Sequence, residues 1–92
     1  MRIKVLGPGC AACDRLYQTT GRVVEEIGLD AQVELSHDIA EMLRYGAMFP
    51  PVLVVDGKVV LEGRVLATSH MREFLTDLVD AAADARPTEA AP

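Results

Sequence analysis

The chain has 92 residues, half of them apolar, and a formal net charge of −5. That length makes one small domain with enough apolar residues for a modest core. The acidic balance and an aromatic content of 4% exclude a phosphate-binding or base-stacking surface, hence a nucleic-acid partner; no apolar run reaches the roughly 20 residues needed to span a bilayer, so no membrane partner is expected.

Arg2 to Leu6 is mostly apolar and alternates imperfectly, which suits a strand covered on both faces. It follows Met1 directly, leaving no room for a signal peptide, so the expected location is the cytoplasm. Gly7, Pro8 and Gly9 form a loop. A helix is predicted from near Cys10 to about Ile27, with apolar or small residues at Leu16, Thr20, Val23, Val24 and Ile27, and Gly28 as its stop. Gln32 to Ser36 reads as a second strand, Val33 and Leu35 alternating with polar residues.

Asp38-Ile39-Ala40-Glu41 has the spacing of a capping box and opens a short helix expected to bury Ile39, Met42 and Leu43 and to end at Gly46. Met48-Phe49-Pro50-Pro51 leads into the all-apolar strand Val52 to Val55. Asp56-Gly57 is a two-residue hairpin signal, with Lys58 to Leu61 as the returning strand. Glu62-Gly63-Arg64 breaks that pattern. Thr68 or Ser69 is expected to cap a last helix carrying Met71, Phe74, Leu75, Leu78 and Val79 on one face. The domain so read covers residues 1–80; residues 81–92, rich in Ala, Asp, Pro, Thr and Glu, read as a disordered tail. The order is βαβαββα.

Cys10 and Cys13 are the only cysteines. Two thiols two residues apart, where a strand hands over to a helix, are placed for redox chemistry or for metal binding. In a reducing compartment a lone pair is seldom a structural staple, and two unrelated buried thiols are the bland alternative. His37 and His70 read as exposed loop and first-turn helix residues, distant from the cysteines in sequence. Met42 and Met71 fit the core at helical spacing, whereas Met48 with Phe49 forms an apolar rim suited to docking a partner. Tyr17 and Tyr45 read as amphipathic surface residues.

A strand, a Cys-x-x-Cys opening a helix, and a Pro directly before a strand and hairpin together resemble the thioredoxin fold, and more narrowly the small redox-active disulfide proteins with a minimal thioredoxin- or glutaredoxin-like core. The matching residues are Cys10, Cys13, Pro51, Asp56-Gly57 and Gly63, within residues 1–80. The resemblance implies an α/β fold: a four-stranded mixed sheet in the order 2-1-3-4, with helices on both faces. Right-handed crossovers from the first strand to the second and from the second to the third are expected to put the first and last helices on one face and the second opposite.

It also implies a thiol–disulfide oxidoreductase with no cofactor beyond a redox-active Cys10–Cys13 disulfide. Cys10 maps onto the nucleophile, Cys13 onto the resolving thiol, and Pro51 onto a cis proline packed beside the disulfide. Free N–H groups at the helix terminus would stabilise a Cys10 thiolate. Substrate docking falls to Ala11, Ala12, Met48, Phe49 and Pro50. The implied partners are a protein or small-molecule disulfide and a thioredoxin-reductase-like donor. Ala11-Ala12 replaces the Gly-Pro of thioredoxins and the Pro-Tyr of glutaredoxins, so only the helix terminus, with Arg15, supports the thiolate. Pro50 has no N–H to offer an extended substrate. Glu62-Gly63-Arg64-Val65 stands where glutaredoxins carry Gly-Gly-x-Asp, which leaves glutathione without its usual hold.

The chief rival is a soft-metal carrier. Gly7-x-x-Cys10-Ala-Ala-Cys13 is similar to the loop of heavy-metal-associated domains, and thiolates suit Cu(I). Those domains usually carry Met just ahead of the first cysteine, where this chain has Pro8, and their order is βαββαβ. A third reading is a protein-interaction module.

Overall fold

The computed structural model describes residues 1–9 and 11–90, with side chains described up to residue 80; Cys10 and the last two residues lie outside it. Its elements are β1 (Arg2–Leu6), α1 (Ala11–Glu26), β2 (Gln32–Ser36), α2 (Ile39–Arg44), β3 (Val52–Val55), β4 (Lys58–Glu62) and α3 (Thr68–Ala90). The expected tail falls on residues whose side chains are not described.

The strands form one mixed sheet in the order β2-β1-β3-β4, which is the thioredoxin-like α/β arrangement expected from the sequence. β1 pairs with β2 in parallel and with β3 antiparallel; β3 and β4 are the two arms of the hairpin. Both turn residues have positive φ, Asp56 at 48° and Gly57 at 83°, which matches the right-handed twist of the flanking strands.

Alternation along the two central strands divides the core. Ile3, Val5, Leu53 and Val55 pack with Leu16, Val23 and Val24 of α1 and with Met71 and Leu75 of α3. Leu6, Val52 and Val54 face the other way, with Met42 of α2 and Ala47. A register shift between Leu53 and Val54 sets Leu61 opposite Leu53 and Val59 opposite Val54. The extra residue lets Val59 and Leu61 serve different faces, which strict period-two alternation forbids. As expected, α1 and α3 share a face and α2 lies opposite. Right-handed crossover accounts for the β1–α1–β2 unit alone, because β2 and β3 do not run parallel.

Local chemistry explains the helix ends. Leu29 N–H donates to Val24 O at 3.0 Å and Gly28 N–H to Glu25 O at 3.2 Å, a Schellman closure with Gly28 at φ 65°. Asp38 caps α2, accepting from the N–H groups of Ala40 and Glu41. The capping box is only half formed, since Glu41 turns to Lys4 and Ser36 instead of to Asp38 N–H. α2 also buries less than its pattern implied: Met42 is buried, but Ile39 and Leu43 are 38% and 55% exposed. Six residues make under two turns, too few to lay three apolar side chains on the sheet. Tyr17 and Tyr45 are half-buried against the two clusters, as the reading of amphipathic surface residues implies. α3 begins at Thr68, and Met71 N–H donates to Ala67 O, so the cap lies one residue ahead of the two candidates.

Candidate active site

The antiparallel register pairs Leu6 with Val52. Carried one step further, it sets Gly7, just past β1, opposite Pro51, just before β3. Pro51 is buried, and its peptide bond to Pro50 is cis. A proline is tolerated there because the first residue of a strand need not donate to the ladder.

Gly7 is where the parts meet. A methyl group built on its Cα would strike Cys13 Sγ and would lie 3.4 Å from Pro50 Cβ. Hydrogen is the only side chain that lets the buried Cys13 sulfur and the half-buried Pro50 ring approach this point together. Cys13 sits in the first turn of α1, on the same stripe as Leu16, Thr20, Val23 and Val24. Ala11 ahead of it is exposed and Ala12 half-buried. Cys10, assigned the attacking role from the sequence, lies outside the described residues.

The parallel pairing of β1 and β2 also brings in a residue that sequence distance had set aside. Gly7 N–H donates to Ser36 O at 3.1 Å. His37 follows at once, and its exposed ring lies against Gly9: a methyl group built there would be 3.6 Å from His37 Nδ1 and Cε1. Gly9, at φ 92°, is the residue before Cys10. His70 is exposed at the start of α3.

The segment before the cis bond is held from β4. Glu62 Oε2 accepts the N–H of Met48 at 2.8 Å and that of Phe49 at 2.9 Å. These two bonds, outweighing partial burial, hold the Glu62 carboxyl below the usual range for its kind. One residue on, Gly63 N–H donates to Pro51 O at 2.8 Å. Met48 and Phe49 themselves are 70% and 67% exposed. Sequence reasoning ended this strand at Leu61 and missed Glu62. No sequence signal marked it: water can satisfy the N–H groups of exposed residues ahead of two prolines, and only the β3–β4 pairing brings Glu62 to them.

Among the described residues, no group of three or more His, Cys, Asp or Glu side chains gathers into a metal-holding cluster. The same residues include no helix long and apolar enough to cross a membrane.

A thioredoxin-domain family model matches residues 1–76. The chain belongs to that family. Among its relatives, a thioredoxin of Methanothermobacter thermautotrophicus is 33% identical over 76 residues, covering 83% of this chain and 99% of that protein. A thioredoxin of Methanocaldococcus jannaschii is 28% identical over 78 residues, covering 85% and 90%. The chain is therefore a thioredoxin-like small redox protein, and its family supports thiol–disulfide exchange as the general activity.

Proposed function

We propose that the protein reduces disulfides through Cys10 and Cys13. The observation that carries this reading is the convergence of the Cys13 sulfur and Pro50 on Gly7, beside the cis Pro50–Pro51 bond, in a chain of the thioredoxin-domain family. The Cys10 thiolate attacks one sulfur of a substrate disulfide. A Cys10–substrate disulfide forms, and the second substrate sulfur leaves as a thiolate that takes a proton from solvent. Cys13 then loses its proton and attacks Cys10 Sγ. The mixed disulfide breaks, the first substrate sulfur leaves as a thiol, and Cys10–Cys13 becomes the disulfide. Two electrons have passed to the substrate; a dithiol donor of the thioredoxin-reductase kind returns them.

Burial of Cys13 at 0% exposure supports its place as the second thiol, reached by a neighbouring sulfur more readily than by a bulky substrate. Met48 and Phe49 supply the apolar surface on which a protein substrate docks, with Pro50, Ala11 and Ala12 at its edge. Cytoplasmic reducing conditions suit a dithiol kept ready to donate.

Substitution of each cysteine tests the assignment. Cys10→Ser abolishes reduction of a protein disulfide, whereas Cys13→Ser keeps the attack and accumulates the mixed disulfide, visible by intact mass. Faster alkylation of Cys13 than of Cys10 in the reduced protein, or equal loss of Cu(I) binding in both variants with no reductase activity in the wild type, overturns it.

A further inference from the structure

The loop ahead of the cis bond combines two features that seldom go together. Its side chains, Met48 and Phe49, are large, apolar and exposed, yet its backbone is tied down. Main-chain N–H groups are what an extended segment pairs with when it adds to a strand-like edge. Here Pro50 and Pro51 have none, and the N–H groups of Met48 and Phe49 both point to one oxygen of Glu62. A carboxylate receiving two N–H groups forms charge-assisted bonds, stronger than neutral ones. The next residue repeats the hold on the other side of the cis bond, through Gly63 N–H to Pro51 O at 2.8 Å. Gly63 has φ 74°, and a methyl group built on it would press to 3.3 Å from Phe49 Cβ. The end of β4 therefore underlies the whole segment from Met48 to Pro51.

We propose that Glu62 is a positioning residue for substrate recognition: by occupying both backbone donors of Met48 and Phe49, it moves recognition from the main chain to their two side chains. The partner it selects is a disulfide flanked by apolar residues on a protein surface. This rests on the disulfide-reductase reading of the site and adds the device that sets its substrate preference. With the loop held before encounter, binding does not have to order it, so the effect lies in KM and not in the thiol chemistry.

The test compares wild type, Glu62→Ala, Glu62→Gln and a Met48→Ala/Phe49→Ala double variant. Each is assayed on a protein disulfide with apolar flanks and on hydroxyethyl disulfide, with amide hydrogen exchange read at Met48 and Phe49. Glu62→Ala is expected to raise KM for the protein substrate about tenfold, to leave its kcat and the small-disulfide rate within a factor of two, and to speed exchange at both amides at least tenfold. Such a rise corresponds to about 1.4 kcal/mol of lost binding. Glu62→Gln is expected to restore KM and amide protection, because one carboxamide oxygen can accept both N–H groups as Oε2 does. The double variant keeps the amide protection but shows the raised KM, and it remains informative if Glu62→Ala fails to fold. An unchanged KM in Glu62→Ala or in the double variant overturns the proposal, as does an equal loss on both substrates. A wild type inert toward both disulfides overturns the reductase reading itself, a result distinct from either.

Discussion

On one face of the sheet, two helices cover a continuous cluster running from Leu16, Val23 and Val24 through Ile3, Val5 and Leu53 to Met71 and Leu75. On the other, a six-residue helix contributes one buried side chain, Met42, to a smaller cluster and leaves Leu43 more than half exposed. Polar ties hold the thin face. Lys4 Nζ meets Glu41 Oε2 at 2.6 Å, and Ser36 Oγ donates to Glu41 Oε1 at 2.8 Å. Between the helices of the thick face, the described residues include one such tie, Arg72 to Glu26, both substantially exposed and worth little. The candidate site takes Cys13 from the thick face and the loop of Met48 and Phe49 from the connection leaving the thin one. A buried thiol needs a fixed surround, whereas the loop of Met48 and Phe49, with its side chains exposed, takes its shape from polar contacts.

The contrast breaks most directly at matched leucines. Leu75→Ala, on the thick face, is expected to cost about 2–5 kcal/mol by removing a fully buried side chain. Leu43→Ala, on the thin face, should stay within about 0.5 kcal/mol, as surface changes do. Urea unfolding of both variants checks this, and equal losses would show that the two faces are not unequal.

Next in size is Gly7→Ala, at the seam between the faces. The added methyl must displace the Cys13 sulfur or the Pro50 ring, which overpacking data set at about 1–3 kcal/mol. Redox activity should fall with stability in this variant, a coupling read from reductase assays well below its unfolding midpoint.

Gly21 sharpens the comparison in the opposite direction. It lies inside α1, and a methyl group built there meets nothing within 4 Å. Gly21→Ala should stabilise the thick face by about 0.5–1 kcal/mol through helix propensity, with no change in activity.

The smallest effect belongs to the polar tie of the thin face. The bonds from Lys4 and then Ser36 lower the Glu41 carboxyl below its ordinary 4.5. A depressed folded value means the tie stabilises fully above pH 4.5 and fades as pH falls through the lowered value. Lys4 is raised above 10.5, first by its bond to Glu41, so the alkaline loss comes as pH climbs through that raised value. Glu41→Gln should therefore lower the thermal midpoint slightly and evenly across neutral pH, and match wild type in strong acid. A difference that persists there would show that the Gln side chain disrupts packing instead.

Much of this architecture was legible because short-range rules carried it. The two-residue turn at Asp56-Gly57 needs positive φ at both positions, and Gly28 and Gly46 stop their helices for the same backbone reason. The apolar stripe of α1 and the unbroken run of β3 follow from period and burial, whereas the order of the strands in the sheet was implied by the resemblance to the thioredoxin fold. What the pattern could not supply was how much of an apolar helix face finds a partner. Ile39 and Leu43 have the spacing of core residues, but a helix of six residues cannot reach the sheet with all of them.

The amino-acid order alone determined where Cys10 and Cys13 stand relative to a strand and a helix, and that two prolines precede the third strand. Only the tertiary structure decided what stands against them. Parallel pairing of β1 with β2 laid His37 against Gly9, and the β3–β4 ladder carried Glu62 to the N–H groups of Met48 and Phe49. Strand pairing joins residues far apart in the chain, so a carboxylate 13 positions away leaves no periodic trace in the sequence.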